Sequence, residues 1–216
     1  DELHSLWFNA QCERSNTILG REFSHWCGPP SVVERFGGAA VHYPPGAFGQ
    51  NNLDIAERIV DHVREQVPVG ARVAEFYAGV GAIGLSVLSR VSHLRMNEVS
   101  PQSLQGLALG LDALEPAERE KIEVIAGSAG KMASAALDAE VVIADPPRKG
   151  LDRELLDHLV ADPPQRFVYV SCGLESLLHD TTRLTAGRNL RLSSLRAFNL
   201  MPYTEHVETV ACFERV

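Results

Sequence analysis

Cysteine is scarce in this sequence, with only Cys12, Cys27, Cys172 and Cys212 among 216 residues. The four are far apart and form neither a Cys-x-x-Cys pair nor a cluster with histidine at the spacing of metal ligands. This pattern argues against a metal centre built from cysteine. We therefore expect free thiols, a reducing cytoplasmic environment and no bound metal.

Long hydrophobic runs are also missing. No apolar stretch approaches the roughly 20 residues that a membrane-spanning helix needs. The chain starts at Asp1 without a basic-then-apolar leader, and it could be a fragment of a longer protein. Hydrophobic residues make up 45% of it and charged residues 22%, the mix of a globular protein with one main core and no membrane partner. The oligomeric state stays open.

Positive charge is in short supply. The sequence has 20 lysines and arginines against 28 aspartates and glutamates, which gives a net charge of -8 at pH 7. Basic side chains normally supply much of the affinity for nucleic acids by neutralising phosphates. If this protein binds RNA, a local basic patch or another domain must therefore provide the phosphate contacts.

The chain changes character near Phe48. Up to residue 49 it holds short apolar runs separated by breakers such as Pro44-Pro45-Gly46, which is typical of a few short strands. From Asn52, apolar residues recur at helical spacing as far as Val67 and predict an amphipathic helix. We predict a β-rich segment at residues 1–49 and a main domain at residues 50–216.

Beyond this helix, strand-like and helix-like segments alternate. Such alternation predicts an α/β fold with a doubly wound, mostly parallel sheet covered by helices on both faces. We place its strands at residues 72–77, 94–98, 123–126, 141–145, 166–171, 190–200 and 207–215, with helices that begin near residues 82, 101, 152 and 174.

Notable residues stand at or just past the ends of four predicted strands: Tyr77, Glu98, Asp145 and Cys172. Ligands bind beyond the carboxyl ends of such strands, so we expect these four to meet at one rim. The stretch 79–84 reads Gly-x-Gly-x-x-Gly and suits close approach of either a nicotinamide cofactor or S-adenosylmethionine. Glu98 would bind ribose hydroxyls in both cases; otherwise it is a solvated carboxylate at a helix start.

Other motifs carry reactive groups. Residues 145–150 read Asp-Pro-Pro-Arg-Lys-Gly, which makes either a rigid polar corner or a plain turn. Cys172 is either an inert core cysteine or a nucleophile whose thiolate is favoured by a helix that starts at Leu174. Glu208, in a stretch rich in titratable groups before the last strand, is either a proton acceptor or a charge in a hairpin loop.

Taken in order, these motifs resemble the RNA uracil-5-methyltransferase family from about Leu6 to Val216. The resemblance implies a Rossmann-like class I methyltransferase fold, in which residues 1–49 are the tail of the family's central domain. The matching motifs are Phe48-Gly49-Gln50 for Phe-x-Gln, Glu75–Gly81 for the cofactor loop, Asp145–Gly150 for Asp-Pro-Pro-Arg-x-Gly, Tyr169–Cys172 for the nucleophile and His206–Glu208 for the general base.

The resemblance implies specific roles. Cys172 would attack carbon 6 of a uracil, Glu208 would remove the proton from carbon 5, and Arg148 and His206 would contact the RNA substrate, a tRNA or rRNA. The residues implied to bind S-adenosylmethionine are Gln50, Tyr77, Gly79, Gly81, Glu98 and Asp145.

The sequence departs from the family pattern at several positions. Gly173 replaces the usual asparagine after the nucleophile, Ala82 an asparagine near the cofactor, and Asn199 a frequent aspartate. The family's RNA-binding barrel and four-cysteine iron–sulfur site are absent from this chain, so we expect a catalytic fragment or a shortened homologue. The alternatives are a non-catalytic relative that binds the cofactor or RNA, a methyltransferase for another pyrimidine and a nicotinamide dehydrogenase.

Overall fold

The computed structural model describes residues 3–12, 14, 18–20 and 22–216. Its strands are β1 (Leu6–Ala10), β2 (Glu22–Cys27), β3 (Val32–Phe36), β4 (Ala39–Tyr43), β5 (Arg72–Phe76), β6 (His93–Glu98), β7 (Ile122–Ala126), β8 (Val141–Ala144), β9 (Arg166–Ser171), β10 (Leu190–Phe198) and β11 (Glu208–Arg215). Its α-helices are α1 (Leu53–Glu65), α2 (Ala82–Val87), α3 (Pro101–Asp112), α4 (Pro116–Arg119), α5 (Arg153–Ala161) and α6 (Leu174–Ala186).

Seven strands form one sheet in the order β10-β11-β9-β8-β5-β6-β7. Five adjacent strands of the sheet, β9, β8, β5, β6 and β7, are parallel, whereas β11 is antiparallel to both of its neighbours. The strand order reverses between β5 and β8, which is where an open sheet of this kind forms its ligand crevice. The predicted doubly wound, mostly parallel sheet is confirmed.

The sheet is buried on both faces. Within β5, Val73 packs into one hydrophobic layer and Ala74 into the other, because successive side chains of a strand point to opposite faces. Leu107 of α3 belongs to the first layer and Leu155 of α5 to the second, and both are almost completely buried. The helices therefore clamp the sheet from two sides and fix the strand ends.

Local signals set the ends of the helices. Asn52 caps α1 by accepting a hydrogen bond from the backbone N–H of Ile55, and Ser100 caps α3 in the same way. The predicted first helix extended to Val67, but α1 ends at Glu65. Pro68 explains the difference, since the residue before a proline is disfavoured in helical backbone. Val67 is nevertheless fully buried in the core.

The N-terminal segment forms two antiparallel hairpins, β1–β2 and β3–β4. Phe36 and Val41 of the second hairpin are buried in the same hydrophobic layer as α1. The division near Phe48 stays a prediction. Across the described ranges, no helix combines the length and the apolar character needed to cross a bilayer.

Candidate active site

A cavity of about 690 Å³ opens at the carboxyl ends of β5, β6, β8 and β9, beside the point where the strand order reverses. It brings together nine of the ten site residues expected from the sequence: Gln50, Tyr77, Gly79, Glu98, Asp145, Arg148, Cys172, His206 and Glu208. The tenth, Gly81, does not line it. What the structure shows is their placement; their roles remain predictions.

Gly81 shapes the turn that leads into α2. It precedes the first residue of this helix with φ 91°, a left-handed conformation that favours glycine. A Cβ atom there would also lie 2.8 Å from Cδ1 of Leu107. Backbone geometry and packing therefore account for the glycine, and its contact with the cofactor stays a prediction.

Tyr77, directly after β5, has a left-handed backbone with φ 60°. This conformation is uncommon for a bulky residue and marks a constrained position. The Tyr77 hydroxyl accepts a hydrogen bond of 2.8 Å from the backbone N–H of Asp152, and burial raises the pKa of Tyr77 to about 12. The ring is thus tied to the segment that follows β8.

Glu98 is buried at the end of β6, with 8% of its surface exposed. Its Oε2 accepts a 2.7 Å hydrogen bond from the N–H of Gly79, and its Oε1 accepts from the N–H groups of Val99 and Ser100 at 2.7 and 2.6 Å. The alternative of a solvated carboxylate is therefore wrong. Glu98 joins the glycine loop to the start of α3 while it faces the cavity.

Glu75 also lines the cavity, although sequence analysis gave it no separate role. It is 3% exposed, its Oε1 accepts from the N–H of Gly84 at 3.2 Å, and its Oε2 has no hydrogen-bond partner among the described residues. Burial, with the charges of Asp145 and Glu98, raises the pKa of Glu75 to about 8. A charged residue inside the otherwise apolar run of β5 was the signal that could have identified it.

Asp145 follows β8 and faces the same cavity. Its backbone N–H donates to the carbonyl of Phe76 on the neighbouring strand at 3.4 Å, so the carboxylate is held at the strand end. Burial and the nearby charge of Glu208 raise the pKa of Asp145 to about 8. The carboxyl groups of Glu75, Glu98, Asp145 and Glu208 line the cavity, and a positively charged ligand bound beside them would favour their ionised form.

The register of β9 with β11 brings Cys172 and Glu208 to neighbouring strand ends. Thr209 of β11 pairs with Ser171 of β9, and its hydroxyl donates to the Ser171 carbonyl at 3.1 Å. The next residues, Glu208 and Cys172, both line the cavity, and the negative charge of Glu208 acts on the Cys172 thiol. Residues 36 positions apart in the chain thus meet at one edge of the cavity.

Glu208 is 6% exposed, which is inconsistent with a charge in a solvated hairpin loop. It is the first residue of β11, and burial raises its pKa from 4.5 to about 7. A carboxyl group with such a pKa exchanges a proton readily near neutral pH, as a general base must.

The expectation that the environment of Cys172 favours the thiolate is wrong for the protein by itself. Burial and the negative charges of Glu208 and Asp145 raise the pKa of Cys172, and the positive charge of Arg148 only partly offsets them. The start of α6 does not outweigh these effects. A positively charged ligand bound near Cys172 would lower the pKa of its thiol. All four cysteines are free thiols, as expected.

The three departures from the family pattern lie in different surroundings. Ala82 lines the cavity, whereas Asn199 is exposed and outside it. At Gly173, a Cβ atom would lie 2.8 Å from Oγ of Ser176 and 3.0 Å from the carbonyl oxygen of Arg148, so both α6 and the 145–150 loop crowd the position of a side chain.

Two placements bear on ligand entry. Phe48 and His206 line the mouth of the cavity and are exposed, Phe48 by 72%.

In the described part of the chain, no group of three or more histidine, cysteine, aspartate or glutamate side chains is arranged to hold a metal ion.

Comparison with known proteins agrees with this geometry. Residues 131–216 match the family model of tRNA (uracil-5-)-methyltransferase. An uncharacterized RNA methyltransferase of Protochlamydia amoebophila is 35% identical over 213 residues, which cover 98% of this chain and 55% of that protein. The tRNA (uracil(54)-C(5))-methyltransferase of Schizosaccharomyces pombe is 29% identical over 230 residues, 94% of this chain and 42% of the relative.

A solved structure shows the same fold. The tRNA (uracil-54, C5)-methyltransferase of Pyrococcus abyssi, crystallised with S-adenosyl-L-homocysteine, superimposes with a TM-score of 0.84 at 24% identity. The superposition covers 99% of this chain and 51% of the Pyrococcus abyssi chain. This chain thus spans about half the length of the relatives it matches. The motif match, the similarity along the chain and the shared fold together confirm the predicted family: the chain belongs to the RNA uracil-5-methyltransferases.

Proposed function

We propose that this protein transfers a methyl group from S-adenosylmethionine to carbon 5 of a uridine in RNA, through a covalent adduct on Cys172. The observation that carries the proposal is that Cys172 and Glu208, each next to a residue of the Ser171–Thr209 strand pair, line the same cavity as Glu75, Glu98 and Asp145. A nucleophile, a base and a cofactor site thus share one cavity, as this chemistry requires.

The residues present fit S-adenosylmethionine. Its sulfonium and ammonium groups are positively charged, and the free Oε2 of Glu75 and the carboxylate of Asp145 face the cavity without a cationic side chain bonded to them among the described residues. Glu98 accepts backbone hydrogen bonds at both oxygens and keeps further lone pairs for ribose hydroxyls. When bound, the cofactor supplies the methyl group that carbon 5 receives.

Cys172 acts first. Its thiolate adds to carbon 6 of the uracil ring, a sulfur–carbon bond forms, and the electron pair of the carbon 5–carbon 6 double bond moves into an enolate that makes carbon 5 nucleophilic. The cationic side chain of Arg148, at the same cavity, favours the thiolate. We place Arg148 and His206 in contact with the substrate.

Glu208 acts last. After methylation, carbon 5 carries both the methyl group and its original hydrogen. Glu208 accepts this proton, the double bond re-forms between carbons 5 and 6, and the sulfur–carbon bond to Cys172 breaks to release the product. The uracil reaches the part of the cavity lined by Cys172 and Glu208 by leaving its stack in the RNA, as enzymes acting on single nucleobases require.

The proposed substrate is a tRNA or an rRNA, with the enzyme in the cytoplasm. We further propose that residues 50–216 are the catalytic domain and residues 1–49 belong to the preceding one. With a net charge of -8, this chain offers few phosphate contacts, and Arg148 and Lys149 beside the cavity provide local positive charge. Longer relatives leave room for further RNA contacts outside the matched region.

The test is incubation with S-adenosylmethionine and RNA that contains 5-fluorouracil. Fluorine at carbon 5 cannot leave as a proton, so the Cys172 adduct should persist through denaturing electrophoresis and map to the Cys172 peptide. Cys172→Ala should form none. Cofactor binding without an adduct on any cellular RNA pool would indicate a non-catalytic relative instead.

A further inference from the structure

Asp180 lies on α6, is 3% exposed and is not part of the cavity lining. One of its carboxylate oxygens, Oδ2, accepts a 3.0 Å hydrogen bond from the backbone N–H of Leu151 and a 2.8 Å hydrogen bond from the hydroxyl of Tyr169. The other oxygen lies 3.1 Å from Nδ1 of His179. A buried carboxylate held by several donors is a strong anchor.

The donors belong to the two segments that carry the reactive end of the site. Tyr169 lies on β9, three residues before Cys172, and burial together with Asp180 raises the pKa of Tyr169, so its hydroxyl remains a donor. Leu151 directly follows the 145–150 loop, which presents Asp145 and Arg148 to the cavity. Asp180 therefore joins the strand of the nucleophile to the loop beside it.

Close packing shows that this junction is tight. Gly150 has φ 86°, and a Cβ atom there would lie 2.7 Å from Oδ2 of Asp180 and 3.0 Å from the Cβ of Ser176. The main chain thus approaches α6 as closely as a glycine permits. At the other side of the loop, the Arg148 carbonyl occupies the space that a side chain at position 173 would fill.

The connection continues to the opposite wall of the cavity. Asp152, next to Leu151, donates its backbone N–H to the Tyr77 hydroxyl at 2.8 Å, and its carboxylate accepts from the N–H of Gly130 at 3.1 Å. Two consecutive residues therefore bind the Cys172 side and the Tyr77 side of the site. Displacement of Leu151 would therefore disturb both sides of the site.

We propose that Asp180 is a positioning residue that fixes the 145–151 segment against β9, so that Arg148 and Cys172 face the cavity in the arrangement needed for attack on carbon 6. This inference rests on the proposed function. Asp180 touches no reacting atom and acts through Leu151 and Tyr169.

The experiment compares Asp180→Ala with Asp180→Asn and Tyr169→Phe. Asparagine keeps an oxygen that can accept from both Leu151 and Tyr169, whereas alanine removes both bonds and Tyr169→Phe removes one. Asp157→Ala is the matched control, because Asp157 on α5 pairs with Arg183 on α6 at the surface and does not touch the loop. Circular dichroism sets a temperature at which every variant is fully folded.

The first measurement is the rate of adduct formation on 5-fluorouracil RNA at saturating RNA and cofactor. Small displacements of reacting groups cost up to about 100-fold in rate, so Asp180→Ala should be slower by about 10- to 100-fold, with Tyr169→Phe in between. Asp180→Asn and Asp157→Ala should stay within about threefold of the wild type. An unchanged rate in folded Asp180→Ala, or an equal loss in Asp157→Ala, would overturn the inference.

The second measurement needs no RNA and separates this inference from the proposed function. Iodoacetamide alkylation of Cys172, followed by mass spectrometry of its peptide, reports thiolate formation against pH. Displacing Arg148 leaves the charges of Glu208 and Asp145 unopposed, so the profile of Asp180→Ala should move to higher pH while Asp180→Asn and Asp157→Ala match the wild type. If no variant shifts the alkylation profile, the positioning role of Asp180 is refuted. If the wild type forms no adduct with RNA but Asp180→Ala still shifts the alkylation profile, only the proposed function fails.

Discussion

Replacing Glu208 with glutamine separates the steps of the proposed reaction. Glutamine keeps the shape of the side chain, but it cannot accept the proton from carbon 5. Attack by Cys172 and methyl transfer do not need the carboxylate. An adduct that carries the methyl group should therefore accumulate on unmodified RNA, where the wild type turns over.

The size of the effect follows from the role and the burial of the group. A general base contributes about 10²- to 10⁴-fold, so turnover should fall by that factor while the first adduct forms at a rate within about threefold of the wild type. Raising the pKa of Glu208 from 4.5 to about 7 reflects a cost on the order of 3 kcal/mol for holding the charged form in the fold.

That cost gives the same substitution a second signature. The folded protein binds the Glu208 proton more tightly than the unfolded chain does. The stability that this proton contributes is therefore complete below pH 4.5 and is lost as the pH rises through about 7. Glu208→Gln should increase the free energy of unfolding by up to about 3 kcal/mol at pH 8 and leave it nearly unchanged at pH 4.

The assay is denaturing electrophoresis with labelled RNA and, separately, with a labelled methyl group, alongside urea denaturation at the two pH values. Cys172→Ala combined with Glu208→Gln is the control and should show no adduct. Normal turnover by Glu208→Gln would refute the assignment of the base. An adduct without the methyl label would show that the carboxylate is needed before proton removal.

Three further predictions concern pH, cofactor and RNA. Turnover should increase as the pH rises through about 7, because Glu208 must be ionised, and a pH–rate profile of Glu208→Gln should lack this lower limb. S-adenosylmethionine and its demethylated product should bind without RNA, whereas nicotinamide dinucleotides should not; calorimetry with the reverse preference would contradict the cofactor assignment. RNA should bind weakly and with a shallow dependence on salt, because a chain of net charge -8 neutralises few phosphates. Tight binding in a salt titration at physiological ionic strength would instead indicate a concentrated basic surface.

The sequence predicted the order of strands and helices because those signals are local. Alternating apolar runs located β5 to β11 within one or two residues, but the capping side chains of Asn52 and Ser100 were recognised only in the structure. The strand ends then placed Tyr77, Glu98, Asp145 and Cys172 at one edge, since parallel strands present their carboxyl ends together. Pro68 was also visible in the sequence, but the apolar spacing extended the predicted helix to Val67, the residue directly before it, whereas α1 ends at Glu65.

Other features depend on contacts between residues far apart in the chain. The placement of Cys172 and Glu208 at neighbouring strand ends depends on the register of β9 with β11, and the link from Asp180 to Leu151 spans 29 positions. The sequence shows Glu75 as a charged residue within β5, but it shows neither the unbonded oxygen of its buried carboxyl group nor the raised pKa of Cys172, because both arise from the summed burial and charge of several segments. The sequence by itself therefore determined the motifs, the fold class and the edge of the sheet where they gather. The tertiary structure alone decided which of those groups are buried, which face one another and how strongly their protons are held, since desolvation and Coulomb interactions depend on three-dimensional distance.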